Sequence, residues 1–149
     1  VKAVTVHPYD TMLRCLARRE HSRVELDRKL TSRFPNMKSS ERRELIELLQ
    51  SQNLQSDERF CEMLIRSRLN KGHGYRRIER ELAMHEIAPG CFKQYLSEAE
   101  ASEKDRATAA LEKWTRSKKD PSRIQALRFL TGRGFSFSDA TEAVDVIFR

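Results

Sequence analysis

Apolar residues recur along most of the chain at the three- and four-residue spacing of a helix, with polar residues between them. This spacing is typical of amphipathic helices, whereas a strand would alternate at every second residue. The pattern therefore predicts nine helices and no strand. It places Leu48, Ile124 and Phe137 among the residues that face the core. The weak alternation of residues 1–6 is terminal, and we interpret it as part of a tail.

Glycine and proline fall between the periodic segments, where they are expected to end helices. The run Gly72-His73-Gly74 has some likeness to a phosphate-binding loop, but it follows a predicted helix and not a strand. It also lacks the third glycine and the Gly-Lys-Ser/Thr sequence of such loops. We therefore interpret it as a turn with Gly74 as the N-cap of the next helix.

A threefold repeat becomes visible when the second helix of each group of three is aligned on one leucine. The period is about 50 residues, and an N-cap, an arginine, the leucine and a closing apolar residue recur in that order. The N-caps are Ser22, Gly74 and Ser122, the arginines are Arg28, Arg80 and Arg128, the leucines are Leu30, Leu82 and Leu130, and the closing residues are Phe34, Ile87 and Phe135.

This repeat predicts an all-α fold in which three tandem three-helix repeats form an elongated, curved array. The predicted boundaries are an N-terminal tail at 1–8, repeat one at 9–55, repeat two at 56–100 and repeat three at 101–149. One repeat of this size would bury too little apolar surface to be stable alone, whereas stacked repeats share a continuous core.

The charge follows the same repeat. The chain of 149 residues carries a net charge of +7, and its 29 basic residues comprise 20 arginines and 9 lysines. Three strongly basic stretches, 14–33, 66–80 and 113–133, each cross the junction between the first and second helices of a repeat. Stacked repeats would align these stretches, as expected for a protein that binds a polyanion or an acidic partner. The favourable interaction of cations with helix C-termini explains part of the same pattern.

The sequence offers little chemistry for an enzyme. Its 4 histidines and its cysteines Cys15, Cys61 and Cys91 lack the spacing of zinc ligands, and no hydrolase motif is present.

An odd number of cysteines argues against a disulfide framework and suits a reducing cytoplasm. No apolar run approaches the ~20 residues of a membrane helix. We expect no catalytic residue, no metal and no cofactor, and we favour core packing over base stacking for Trp114.

Helical geometry separates structural arginines from candidate binding residues. Arg68 falls on the same face as Cys61, so it is predicted to pair with a carboxylate in the folded protein, while Arg66 points away. In the next helix, Arg76 and Arg80 lie opposite the apolar face. An alternative is that these two arginines only pair with neighbouring glutamates such as Glu79 and Glu81. The candidate residues for partner or DNA binding are Arg28, Arg66, Lys71, Arg76, Arg77, Arg80 and Arg128.

These residues carry a resemblance to a known family. The stretch from Ser56 to Ile87 resembles the central signature of the RecX family, the bacterial regulators of the RecA recombinase. Residues 16–30 look like the first unit of that family, and residues 123–144 look like its last. At Phe34 the chain departs from the pattern, because the family usually has a glycine before this aromatic residue. The departure leaves the geometry of the first inter-helix turn open. The matching positions are Asp57, Arg59, Phe60, Arg66, Ser67, Arg68, Leu69, Gly72, Gly74, Arg77, Ile78, Glu81 and Leu82.

The resemblance implies a modular helical protein that binds RecA–single-stranded DNA filaments in their helical groove. It further implies inhibition of strand exchange, ATP hydrolysis and coprotease activity, with direct contact to the single-stranded DNA as an open possibility. We expect a monomeric, cytoplasmic protein with no catalysis of its own. Two other classes stay open: a non-specific DNA-binding helical protein that acts without recombinase, and a helical scaffold for an acidic protein partner.

Overall fold

A computed structural model describes residues 6–149, apart from the side chain of Glu98. Residues 1–5 of the predicted tail lie outside the described residues. The tail prediction ends too late, because Pro8 is already the first residue of helix α1. Proline suits this position, since the first residue of a helix needs no N–H donor and its φ angle is already helical.

The nine predicted helices are all present in residues 6–149, and this part of the chain has no strand. The all-α prediction is therefore confirmed. No helix in the same range has the length and apolar character that a membrane span requires. The helices are α1 Pro8–Arg18, α2 Arg23–Arg33, α3 Ser39–Ser51, α4 Asp57–Asn70, α5 Tyr75–Met84, α6 Lys93–Ala101, α7 Glu103–Arg116, α8 Arg123–Gly132 and α9 Phe137–Ile147, with a short 3₁₀ helix at Pro89–Cys91.

The second helix of each group begins as the repeat predicts. The Ser22 hydroxyl accepts from the Glu25 N–H at 3.0 Å, and the Glu25 carboxylate accepts from the Ser22 N–H at 3.3 Å. Ser122 forms the same capping box at the start of α8. At the start of α5 the Gly74 carbonyl accepts the first helical hydrogen bond from Ile78, at 3.3 Å. Each cap satisfies backbone groups that helix ends leave unpaired.

The ends of these helices explain the departure at Phe34. Helix α8 ends at Gly132, and two residues later Gly134, with a φ of +96°, lets the Phe135 N–H reach back to the Leu130 carbonyl at 3.1 Å. This is a Schellman ending, which needs a left-handed residue. Helix α2 instead continues to Arg33, and the Phe34 N–H bonds the Leu30 carbonyl at 2.8 Å in the ordinary helical way. The turn after α2 is therefore one residue shorter than the turn after α8, and it needs no glycine.

The chain forms two compact units. In the first, which extends to Met63 and includes His85–Ile87, helices α1, α2 and α3 enclose a small apolar core. In the second, which comprises Leu64–Met84 and Ala88–Arg149, helices α7, α8 and α9 enclose a larger one. Each core contains one of the repeat leucines. The division into three repeats stays a prediction, because α4 contributes residues to both units.

The repeat leucines are buried as predicted, but three other apolar residues that the sequence places in the core are exposed. Leu30, Leu82 and Leu130 have no exposed surface, which confirms their predicted places in the core, but Leu48, Ile124 and Phe137 are 45%, 63% and 67% exposed. Helix α3 buries Ile46 and Leu49 instead of Leu48. Ile124 and Phe137 lie in the first turns of α8 and α9. Side chains there lean toward the N-terminal end and away from the body of the helix.

Candidate functional site

All seven predicted binding residues are exposed to solvent. Arg28 lies on α2 in the first unit, and the other six belong to the second unit. Within the second unit, Arg66 lies on α4, Lys71 in the following turn, Arg128 on α8, and the remaining three on α5. The predicted row of Arg28, Arg80 and Arg128 stays a prediction.

Helix α5 presents its basic residues as the sequence predicts. Its core face consists of Ile78 and Leu82, both without exposed surface, whereas Arg76 and Arg80 are exposed on the remaining circumference. The two arginines are four residues apart and therefore neighbours on the helix surface. The Arg80 Nε approaches the Arg76 carbonyl at 3.4 Å, a long contact that leaves the rest of the guanidinium available.

The carboxylates nearest to these arginines have other partners. Both oxygens of Glu81 accept hydrogen bonds from Arg68, at 2.6 and 2.8 Å, and this pairing raises the pKa of Arg68. Glu79 lies beside the hydroxyl of Tyr75, and its carboxylate together with burial raises the pKa of Tyr75 to about 12. The predicted pairing of Arg68 is confirmed. Among the described side chains, the alternative pairing of Arg76 and Arg80 with these glutamates is not found.

The turn between α4 and α5 is held by long-range contacts within the second unit. The Gly74 N–H donates to the Arg133 carbonyl at 2.7 Å, and the Arg76 N–H donates to the Gly134 carbonyl at 3.1 Å. A Cβ atom on Gly74 would lie closer than 3.0 Å to backbone atoms of Gly134 and Phe135. Only glycine permits this approach. The interpretation of residues 72–74 as a turn is thus confirmed, with Gly72 in the left-handed region at φ +78°.

Two residues of α7 complete this arrangement. Glu103 is buried and accepts from the Tyr75 N–H at 2.7 Å, so it takes part in capping α5 from a distant helix. One turn later, the Arg106 guanidinium donates to the His73 carbonyl at 3.0 Å and to the Ala99 carbonyl at 2.8 Å. Burial raises the pKa of Glu103 and lowers that of Arg106. The position of α5 and its arginines therefore depends on α7.

His73 does not add to the positive charge of this surface near neutral pH. Its side chain is buried, and burial lowers its pKa to about 4, with further contributions from the nearby charges of Arg77, Arg133 and Arg68. Cationic neighbours disfavour a second positive charge, and a buried site disfavours any charge. The imidazole is therefore neutral at pH 7.

Beside the α4–α5 turn, the second unit has a pocket of about 470 Å³. One face of α7 forms a wall of this pocket, including Ala110, Lys113 and Trp114. The end of α4 and its turn contribute Leu69 and Lys71. Arg66 precedes Leu69 by three residues and therefore lies near the same face of α4. The lining of the pocket thus combines apolar and aromatic side chains with basic ones.

Helix α8 supplies the remaining wall through Phe129 and Arg133. The rings of Trp114 and Phe129 are stacked, with centroids 5.1 Å apart and planes 12° from parallel. The Arg133 guanidinium lies 5.1 Å from the centre of the Phe129 ring, and the Lys118 ammonium lies 6.0 Å from that of Trp114. Cations are attracted to ring faces at such distances.

Sequence reasoning missed this pocket. Trp114 packs against the core of the second unit as predicted, but it is only partly buried and also lines the pocket. Lys113 and Arg133 were part of the basic stretch 113–133 and were not assigned to a site. The nearest signal was the tryptophan within that stretch, since aromatic and basic residues together are typical of surfaces that bind nucleic acids.

The fold and these surfaces define a class of protein. It is an all-helical protein whose exposed basic residues and basic aromatic pocket are suited to binding. No group of three or more histidine, cysteine or acidic residues with the geometry of a metal site occurs in the part of the chain that the structure describes.

Comparison with known proteins identifies the family. Residues 56–96 match the family model described as RecX, second three-helix domain. Regulatory protein RecX of Chromohalobacter salexigens is 35% identical over 142 residues, which cover 92% of this chain and 90% of that protein. Its counterpart in Pseudomonas entomophila is 41% identical over 132 residues, which cover 85% and 82%. The chain belongs to the RecX family, as the signature at residues 56–87 indicated.

Two solved structures confirm the fold. The crystal structure of RecX from Lactobacillus salivarius has a TM-score of 0.71 at 21% identity, with 93% of each chain covered. A second crystal structure of regulatory protein RecX has a TM-score of 0.73 at 20% identity, and it covers 93% of this chain and 70% of the other. The relatives are named as regulatory proteins, and none of those described above is named as an enzyme.

Proposed function

We propose that this protein is a negative regulator of RecA recombinase. It binds RecA–single-stranded DNA filaments in their groove and inhibits ATP hydrolysis, strand exchange and coprotease activity. It acts by binding alone, as a cytoplasmic monomer without a cofactor or catalytic residue. Membership of the RecX family supports the regulatory role, and the net charge of +7 suits a filament that carries phosphate and acidic protein surface.

The observation that carries the proposal is the exposure and spacing of the two arginines Arg76 and Arg80 on α5. Arg76 and Arg80 are exposed and one helical turn apart, and the neighbouring Glu81 is bound by Arg68. Arginine presents several N–H donors in a planar fork that matches carboxylate and phosphate groups. These two side chains can therefore meet an anionic partner without first breaking an ion pair.

The other predicted residues extend this contact. Each exposed ion pair contributes only about 0–1 kcal/mol. Several contacts to one filament act together, because every contact after the first forms at a high effective concentration. The equivalent repeat arginines Arg28 and Arg128, with Arg66, Lys71 and Arg77, are proposed to supply them. Losing two arginines should then weaken binding more than one surface pair would suggest.

The test is RecA ATPase activity on single-stranded DNA in the presence of substoichiometric amounts of this protein. The wild-type protein should inhibit the ATPase. The double variant Arg76→Ala/Arg80→Ala should inhibit several-fold less well, and the difference should grow at moderate salt as the remaining contacts are screened. Circular dichroism and thermal melting should stay nearly unchanged, because neither side chain is buried.

A matched control is available on the acidic helix α3 and its N-cap. Lys38 and Arg43 are exposed and lie outside the three basic stretches. The double variant Lys38→Ala/Arg43→Ala removes the same charge and should inhibit like the wild type. Full inhibition by a well-folded Arg76/Arg80 variant would remove these residues from the binding surface. A wild-type protein that leaves the ATPase unaffected would contradict the proposed function itself.

The alternative is a non-specific DNA-binding protein that acts without recombinase. The basic aromatic pocket of the second unit favours it, because such surfaces bind single strands. A protein of this kind should bind naked DNA with a steep dependence on salt and should compete with RecA for the strand. Inhibition that persists on filaments already saturated with RecA, at salt where naked DNA is no longer bound, would exclude this alternative.

A further inference from the structure

We propose that the pocket between α4, α7 and α8 binds one unstacked nucleotide of a single strand. In this arrangement the base lies against Trp114, and the adjoining phosphates are held by Lys71, Lys113 and Arg133. The inference extends the proposed function, since it assigns a direct contact to the nucleic acid of the filament. It can be tested without recombinase.

The size and lining of the pocket suit a base. Its volume of about 470 Å³ lies in the range of about 300–1,000 Å³ that is common for small-ligand sites. Trp114 is partly exposed at its wall, and its stack with Phe129 fixes the plane of the indole ring. A ring held in this way offers a preorganised surface, and stacking of a base on an aromatic side chain is worth about 1–3 kcal/mol.

The charges around the pocket select an anionic ligand. The pocket is lined by four basic residues, Lys71, Arg106, Lys113 and Arg133. None of the described residues that line it is acidic. Lys71 and Lys113 are exposed, and neither has an ion pair among the described side chains. Arg133 uses one nitrogen to bind the Lys71 carbonyl at 3.1 Å, which leaves other donors of its fork available.

The backbone of the pocket favours a strand over a free nucleotide. Proteins that bind free nucleotides commonly cradle the phosphates with unpaired N–H groups at a glycine-rich turn. Here the N–H of Gly72 donates to the Leu69 carbonyl at 3.0 Å, and the N–H of Lys71 is bonded to carbonyls of α4. Separate side-chain cations remain, and these suit successive phosphodiesters of a chain.

The experiment uses the fluorescence of Trp114, the single tryptophan of the protein. The full-length protein is titrated with a short oligothymidylate, and binding is measured in parallel by the anisotropy of a labelled copy. Stacking of a base should quench Trp114 over the same concentrations at which anisotropy rises. An abasic oligonucleotide of equal length should bind more weakly and cause little quenching. Thymidine monophosphate should quench only at far higher concentration.

The double variant Lys71→Ala/Lys113→Ala tests the phosphate contacts without altering a buried residue. Its affinity for the oligothymidylate should fall at least five-fold. The dependence of binding on salt should also become shallower, by about 1.4 in the slope of log K against log salt for two phosphate contacts. The matched variant Lys38→Ala/Arg43→Ala should bind and quench like the wild type.

Several results would overturn the inference. These are binding without quenching of Trp114, equal quenching by the abasic strand, or unchanged affinity of the Lys71/Lys113 variant. Quenching by an acidic peptide carrying one phenylalanine, without quenching by the oligonucleotide, would assign the pocket to a protein partner instead. RecA inhibition that survives any of these results would leave the proposed function standing, while normal quenching without RecA inhibition would contradict only that function.

Discussion

The close approach of two glycines in the second unit leads to a specific stability prediction. Replacing Gly74 by alanine would place a methyl group closer than 3.0 Å to the backbone of Gly134 and Phe135. Backbone atoms cannot rotate away as a flexible side chain can, so the two turns must separate. Their separation would break the Gly74–Arg133 and Arg76–Gly134 hydrogen bonds, which are 2.7 and 3.1 Å long.

The expected loss follows from these contacts. Forcing extra atoms into a packed site costs about 1–3 kcal/mol. Each broken backbone hydrogen bond removes about 0.5–1.5 kcal/mol, and more where a buried group stays unpaired. Together these effects should lower the free energy of unfolding by about 2–6 kcal/mol, a large fraction of the about 5–15 kcal/mol that is typical of folded proteins.

Urea denaturation followed by Trp114 fluorescence measures this loss directly. Trp114 and Gly74 both belong to the second unit, so the probe reports the unfolding of the affected part. With a typical dependence of about 1–3 kcal/mol per molar urea, the midpoint should fall by about 1–6 M. Far-ultraviolet circular dichroism should show a transition at the same lowered concentration.

Gly132→Ala provides the matched control. A Cβ atom at Gly132, the last residue of α8, would meet nothing within 4 Å. Alanine is a better helix former than glycine, so this variant should be as stable as the wild type or up to about 1 kcal/mol more stable. Equal midpoints for Gly74→Ala and the wild type would refute the argument that the turns need this contact.

Further predictions concern single side chains in the second unit. Arg68→Ala should lower stability by about 1–2 kcal/mol, because it removes the two charged hydrogen bonds that the half-buried Glu81 accepts from Arg68, while RecA inhibition per folded molecule stays unchanged. Leu82→Ala should cost about 2–5 kcal/mol in urea denaturation, and a loss below 1 kcal/mol would mean that its core position is wrong. The folded-state pKa of His73, about 4 against 6.5 when unfolded, should make stability fall as the pH drops from about 6.5 to 4, since the unfolded chain binds the extra proton. Glu103 acts in the opposite direction, because its raised pKa lowers stability as the pH rises above about 4.5. His73→Gln should flatten the acid side of the stability curve, and an unchanged slope would argue against a neutral, buried imidazole.

The sequence by itself determined the helices, their caps and the orientation of the α5 arginines. These features depend on residues only three or four positions apart. The capping boxes at Ser22 and Ser122 and the burial of Ile78 and Leu82 opposite Arg76 follow from such local geometry. Residues 56–87 carried enough of the family signature to indicate the RecX family.

Where more than one face of a helix is apolar, only the tertiary structure decided which of these residues are buried. It also decided which distant segments of the chain are in contact. Leu48 fits the spacing of a core face as well as its neighbours do, but α3 packs through Ile46 and Leu49. The contact of Gly74 with Gly134 and the stack of Trp114 on Phe129 join segments whose separation in the chain leaves no periodic trace. Helical periodicity shows which side of one helix is apolar. Contacts between distant segments depend instead on how several helices fill a shared core, because side-chain packing determines that arrangement.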